Sequence, residues 1–245
     1  MGGLDPGTGA GLARDLLTAD SLDARAVVVG TAWTEQDSTL VRTVEPRQPE
    51  NVRASLTAAL AKIGARGCSV KIGMVATAPI ARAILAALAT FAGPVVYDPV
   101  LRASSGGLLY DGDREAILAL ASRATLVTPN LGEAAWLLDR PVRTESDARA
   151  AARDLCALGM AAVLVKGGHL EGEATDVLLS PAGERLLSSP RIAGPSPRGT
   201  GCALATAIAV KLASDEMLEQ AVASAKAWLT EHIKNARVVS DERHL

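Results

Sequence analysis

The chain has 245 residues, with 25 Lys and Arg against 27 Asp and Glu, a formal net charge of −2. Hydrophobic residues make up 49% and charged ones 21%, which fits a globular chain and excludes a disordered one. The charge balance argues against a nucleic-acid surface, the 2% of aromatics against a base-stacking platform, and no apolar run reaches the length of a membrane span. Three cysteines without metal-ligand spacing and three histidines argue against a disulfide framework and a Cys/His zinc site. The start, Met-Gly-Gly-Leu-Asp-Pro, has no signal-peptide pattern. A reducing cytoplasm is the expected location. The length suits a single α/β domain over residues 1–245.

In chain order, Asp5-Pro-Gly-Thr-Gly-Ala-Gly11 reads as a glycine-rich loop opening a helix. It contains Gly-x-Gly, but no strand is expected ahead of it, which argues against a dinucleotide site. The first expected strand is 26–30. Val52, Leu56, Leu60 and Ile63 then share a helix face. A strand at 69–75 follows, then a second face of Ile80, Ile84, Leu88 and Phe91, and strands at 94–97 and 125–128. Thr144 and Asp147 stand at capping-box spacing ahead of a stripe of Ala148, Ala151, Ala152, Leu155 and Leu158. Strands at 162–166 and 176–179 come next, and helices at 200–213 and 215–236 close the chain. Several strands are apolar throughout, as strands buried on both faces are. The alternation predicts a mostly parallel sheet with helices on both faces.

Ligands of such sheets sit beyond the carboxyl ends of the strands, so the residues just after each strand carry the functional reading. Lys71, Gly73 and Met74 stand at one strand end, and Asp98-Pro99-Val100 follows another. Pro129-Asn130-Leu131-Gly132-Glu133, then Lys166 with Gly167-Gly168-His169, then Arg198-Gly199-Thr200-Gly201-Cys202 complete the edge. Acids for Mg²⁺, a lysine for phosphate oxygens and backbone N–H groups for developing charge are what phosphoryl transfer needs. Each residue also has a simpler reading. The Gly-Thr-Gly-Cys turn (199–202) cradles an anion at a helix start, or is a tight turn that permits close helix packing. Cys202 in the first helical turn is expected to have a lowered pKa, and serves as base, nucleophile or inert small residue. Asn130 and Glu133 form a capping box or hold ligands. Asp98 serves a metal or shapes a turn. Lys166 meets phosphate or reaches out to water. No Walker-type motif occurs. Cys68 and Cys156 read as core thiols.

Thr-Pro-Asn-Leu-x-Glu-Ala (128–134), Val-Lys-Gly-Gly-His (165–169) and Gly-Thr-Gly-Cys (199–202) occur in this order in the ribokinase-like superfamily. With Asp-Pro-Gly-Thr-Gly-Ala-Gly-Leu-x-x-Asp-Leu (5–16), Thr-Ala-x-Thr-x-Gln (31–36), Lys-x-Gly-Met (71–74) and Asp-Pro-Val (98–100), the chain resembles the hydroxymethylpyrimidine/phosphomethylpyrimidine kinases of thiamine biosynthesis. The resemblance implies a three-layer α/β/α sandwich with a mostly parallel central sheet. It implies ATP- and Mg²⁺-dependent phosphorylation of 4-amino-5-hydroxymethyl-2-methylpyrimidine, then of its monophosphate. Gln36 would read the aminopyrimidine edge, with Asp15 and Met74 lining that pocket. Asp98 and Glu133 would serve Mg²⁺ and phosphate, and Asn130 and Lys166 the ATP phosphates. The amides of Gly199, Thr200, Gly201 and Cys202 would form the anion hole, and Cys202 would take the hydroxyl proton. It also implies a homodimer.

Three features depart from the family pattern: no strand is expected before the Asp-Pro loop, Arg198 replaces the frequent histidine, and the glycine-rich tail is missing. Residues 102–109, with Ser104, Ser105, Gly106 and Gly107, suggest a mobile loop over the substrate. Pyridoxal kinase, from the same superfamily, is the alternative. A pyrimidine-binding sensor and a Cys202-dependent hydrolase represent other classes. The hydrolase needs a base near the thiol, and the scarce histidines offer no local one.

Overall fold

A computed structural model describes residues 1–5, 7, 9–37, 39–64, 67–168, 173–194, 197–239 and 242–244, the last two short strands by backbone alone. In chain order the elements are β1 (Gly2–Leu4), α1 (Gly11–Asp20), β2 (Gly30–Gln36), β3 (Val41–Pro46), α2 (Pro49–Ile63), β4 (Val70–Ile72), α3 (Ala78–Ala87), β5 (Val95–Tyr97) and α4 (Arg114–Ser122). There follow β6 (Leu126–Val127), α5 (Leu131–Leu138), α6 (Glu145–Ala157), β7 (Val163–Val165), β8 (Ala174–Ser180), β9 (Gly183–Ser189), α7 (Thr200–Ala213), α8 (Leu218–Asn235), β10 (Arg237–Val239) and β11 (Glu242–His244).

The main sheet runs β4-β5-β6-β7-β8-β9. Its first four strands are parallel, and β8 and β9 return antiparallel. Period-two alternation then sorts the side chains. Val95, Tyr97, Val163 and Val165 face one core, which helices α2 to α6 cover. Val96, Leu126, Leu164 and Leu178 face the other, which α7 and α8 cover. Both faces are buried, so these strands read as continuous apolar runs. The result is the expected three-layer α/β/α sandwich. No helix among the described residues is long and apolar enough to cross a membrane.

A second sheet, β1-β2-β3, joins the edge of the first. Met1 N donates to Lys71 O at 2.6 Å and Gly73 N donates to Met1 O at 2.9 Å. Thr31 Oγ1 donates to Met74 O at 2.7 Å. This region corrects three expectations. The glycine-rich loop does follow a strand, β1, which pairs parallel with β2. Gly-Gly-Leu carries no apolar signal, because a Cβ on Gly3 would come 2.7 Å from Met74 Sδ. The apolar run at 26–30 is not a strand: Val27 and Val28 are exposed, and β2 begins only at Gly30. Residues 31–36, which would follow a strand at 26–30, instead form that strand. Segment 102–109 is an ordered hairpin, closed by Ala103 N to Gly107 O at 2.9 Å and Leu109 N to Leu101 O at 2.9 Å.

Tyr97 is fully buried on β5, and its hydroxyl has no hydrogen-bond partner among the described residues. An unpaired buried hydroxyl costs about 1–3 kcal/mol. Tyr97→Phe is therefore expected to raise stability by about 1 kcal/mol in a denaturant melt. A loss of that size would show that the hydroxyl is bonded in solution.

Candidate active site

The parallel strands deliver their charges to one edge. Asp98 directly follows β5 and is almost wholly buried. Its Oδ1 accepts from Lys166 Nζ at 2.6 Å and from Thr128 Oγ1 at 3.1 Å. Lys166 follows β7, and its backbone N donates to Pro129 O at 2.8 Å, which fixes the two loops together. Its Nζ also lies 4.0 Å from Glu133 Oε2. Burial disfavours the Lys166 charge, but Asp98 and Glu133 outweigh it and raise the pKa. Burial pushes Glu133 up to about 7, with Asp98 adding to the shift and Lys166 opposing it. Asn130 and Glu133 do form a capping box on α5: Glu133 N donates to Asn130 Oδ1 at 2.9 Å, and Asn130 N to Glu133 Oε2 at 2.7 Å. The cap leaves both side chains on the wall of the cleft described next.

Helix α7 points its N-terminus at this cluster. Gly199 has φ +74°, and a Cβ there would meet Gly9 O at 2.3 Å. A Cβ on Gly201 would lie 3.1 Å from Lys166 Nζ and 3.7 Å from Asp98 Oδ2. The two glycines thus let the first amides of α7, with their partial positive charge, approach the strand-end charges. Cys202 sits in that first turn, and its thiol is not the lowered one expected. Burial pushes it up, although Lys71 and the Gly11 N–H pull the other way. Desolvation outweighs the helix start here.

Two clefts meet at this helix start. The first encloses about 240 Å³ and takes in Gln36, Met74, Cys202 and, from the hairpin, Arg102 and Ser104. Gln36 Nε2 donates to Thr34 Oγ1 at 3.1 Å, and that hydroxyl donates to Leu4 O at 2.8 Å, so the amide is oriented by β1. Asp15 does not line this cleft. It lies behind Lys71, which does, and accepts from Lys71 Nζ at 2.7 and 2.9 Å and from Thr206 Oγ1 at 2.9 Å. Burial works against the Lys71 charge, yet Asp15 holds its pKa above the ordinary value. The second cleft encloses about 460 Å³ between β7, β8 and α8. Lys166, Gly168, Thr200 and Gly201 line both clefts. In the second, Asp176 Oδ1 accepts from Gly167 N at 2.9 Å and its Oδ2 accepts from Lys226 Nζ at 2.6 Å. His169 lies outside the described residues.

An amide cradle between two clefts, with a lysine reaching both, suits passing an anionic group from one ligand to another. The comparisons with known proteins decide which. The family profile of phosphomethylpyrimidine kinase matches residues 5–244. The chain belongs to the phosphomethylpyrimidine kinase family. It is 38% identical over 241 residues to a hydroxymethylpyrimidine/phosphomethylpyrimidine kinase of Salmonella typhimurium, covering 96% of this chain and 90% of that protein. A crystal structure of phosphomethylpyrimidine kinase from Clostridium difficile superposes with TM-score 0.79 at 31% identity, covering 95% of this chain and 97% of the other. A pyridoxal kinase from Staphylococcus aureus, solved with AMP-PCP and pyridoxal, gives TM-score 0.86 at 27% identity over 99% and 90% of the chains. Kinases of this family use ATP.

The sequence places Lys71 at a strand end but gives it no role; in the structure it lines the first cleft and pairs with Asp15. The Asp176–Lys226 pair has no local sequence signal, because its partners are fifty residues apart. Among the described residues, no three His, Cys, Asp or Glu side chains cluster as a metal site. Gly201→Ala is expected to displace Lys166 from Asp98 and lower turnover by about 10²-fold, with a smaller effect on the melting temperature. Unchanged turnover would show that the close approach is not needed.

Proposed function

We propose that this protein is an ATP-dependent kinase that phosphorylates 4-amino-5-hydroxymethyl-2-methylpyrimidine and then its monophosphate, for thiamine biosynthesis. The observation that carries this is the meeting of two clefts at Thr200 and Gly201, in the first turn of α7, with Gly199 and Cys202 on the side of the first cleft. The first cleft holds the acceptor. The oriented amide of Gln36 offers the ring a donor and an acceptor, with Met74 beside it. The second holds ATP, whose phosphates reach Lys166 and Asn130 at the junction. A single protein domain supplies both clefts.

A divalent cation fits the donor set. Asp98 and Glu133 are two oxygen donors on one wall, and Mg²⁺ is commonly held by one or two carboxylates plus substrate phosphates. Bound there, Mg²⁺ would neutralise charge on the phosphates. The chain's own residues do the rest. Lys166 and the α7 amides stabilise charge on the transferred group, which matters more than a strong base in a loose transition state. The alcohol oxygen bonds to the γ-phosphorus, the bond to the bridging oxygen breaks, and ADP leaves with that electron pair. Cys202, as thiolate, takes the hydroxyl proton. Asp15 acts through Lys71, which keeps a positive charge near the thiol. No histidine is among the described lining residues, so nothing supports acyl-enzyme chemistry at Cys202.

Val27, Val28, Trp33 and Leu40 are exposed apolar side chains around β2. They support a homodimer. ATP use and the three free thiols support a cytoplasmic location.

The test is incubation with ATP, Mg²⁺ and, separately, the pyrimidine alcohol, its monophosphate and pyridoxal, with products resolved by mass and the preparation sized by light scattering. Monophosphate and diphosphate from a dimer are expected. Product from pyridoxal alone would move the protein to the pyridoxal kinases, a reading that the Staphylococcus aureus neighbour favours. Binding without product would indicate a sensor.

The Cys202 role has its own test. Burial raises the thiol pKa above its ordinary value, so the thiolate is a minor form near neutrality and turnover of the alcohol should still be climbing with pH when the ordinary cysteine range is passed. Cys202→Ala should lower turnover by about 10²-fold, flatten that slope and leave ATP affinity nearly intact. Lost ATP affinity at unchanged turnover would remove the role.

A further inference from the structure

The walls of the two clefts differ in charge. Arg198 lines the first cleft and is not part of the second. It stands one residue before Gly199, so its guanidinium borders the acceptor side of the α7 amides. Arg198 Nη2 donates to Asp5 Oδ2 at 3.2 Å, and the Asp5 carboxylate is wholly buried. The rest of the fork lies along Gly9, where an added Cβ would come 3.1 Å from Nη1. The other cations of this cleft have partners as well, and none of them adjoins Gly199 in the chain. Lys71 spends its ammonium on both oxygens of Asp15. Lys166 is paired with Asp98 at the junction. Arg102 Nη1 donates to Gly106 O within its own hairpin, at 3.2 Å.

On the reading above, the two acceptors differ in one group. The first is a neutral alcohol. The second is a phosphate monoester, a dianion near neutral pH, whose own oxygen attacks. In that step two like-charged groups meet across one amide cradle. A cation fixed on the acceptor side offsets their repulsion, and a guanidinium fork matches phosphate geometry. We propose that Arg198, held in place by Asp5, binds the phosphate of the monophosphate acceptor and so sets the balance between the two phosphorylations. The monoester oxygen bonds to the γ-phosphorus, the bond to the bridging oxygen breaks, and ADP leaves with the electron pair. The dianion has no proton to give up, so this step uses Arg198 where the first uses Cys202.

The proposal rests on the two-step kinase reading, and the test separates the two. Wild-type protein, Arg198→Lys, Arg198→Gln and the double variant Asp5→Asn/Arg198→Gln are assayed with each acceptor, and monophosphate binding is measured by calorimetry. The double variant leaves no lone buried carboxylate, so it keeps the test meaningful if Arg198→Gln fails to fold. The expected result is a 10- to 100-fold (about) fall in kcat/KM for the monophosphate relative to the alcohol, with matching loss of monophosphate affinity and partial rescue by lysine. Equal losses for both acceptors, or an unchanged ratio in the folded double variant, would overturn the role of Arg198 and leave the kinase reading standing. Wild-type protein that phosphorylates neither acceptor would overturn both.

Discussion

The structure depends on one close approach: the first turn of α7 against the Lys166–Asp98 pair. A Cβ at Gly201 would crowd the Lys166 ammonium, and Gly199 takes a left-handed backbone, where a Cβ would collide with Gly9 O. That approach does two things at once. It puts unpaired helix amides where an anion can reach them, and it covers a charge cluster that would otherwise face water. Covered charges are expensive unless paired. The protein pairs them: Lys166 with Asp98, Lys71 with Asp15, Arg198 with Asp5. The acid-heavy balance around Glu133 is what burial and Asp98 express in its raised pKa.

The rest of the fold supplies walls. The parallel strands β4 to β7 end together, so the residues after them share one edge. The small sheet β1-β2-β3 and the 102–109 hairpin enclose the acceptor side. The antiparallel return of β8 and β9, with α8, opens the other side, where the Asp176–Lys226 pair pins the Gly167 amide. On the proposed function, the two ligands would approach the start of α7 from opposite directions. Proximity of this kind is worth several orders of magnitude in rate without any new chemistry.

Much of this was legible in the sequence. The buried parallel strands show as apolar runs because both of their faces are covered, and 200–213 reads as a helix with its true ends. Thr144 and Asp147 cap α6 as their spacing predicts. The ordered set of loops after the strands pointed to the candidate site, since those residues are local to each strand end. Illegible parts have identifiable causes. β1 lacks signal because it is only three residues long and two of them are glycines, Gly3 lying close against Met74. The run Val27-Val28 mimics a strand while lying exposed. Edge strands β3 and β9 alternate only weakly, since one face meets water. Asp15 carries a charge that looks like a pocket residue but is spent on Lys71, and no local pattern tells an acid facing a cleft from one a layer behind. The pKa of Cys202 fails for the same reason: helix position is local, burial is not.

The most direct test of the central claim is a crystal structure with a non-hydrolysable ATP analogue, Mg²⁺ and the pyrimidine alcohol together. The account predicts the nucleotide in the cleft beside Lys226, its γ-phosphate on the amides of Gly199 to Cys202, and the alcohol oxygen facing it from the Gln36 cleft. A γ-phosphate bound away from the start of α7, or both ligands seated in one cleft, would contradict it.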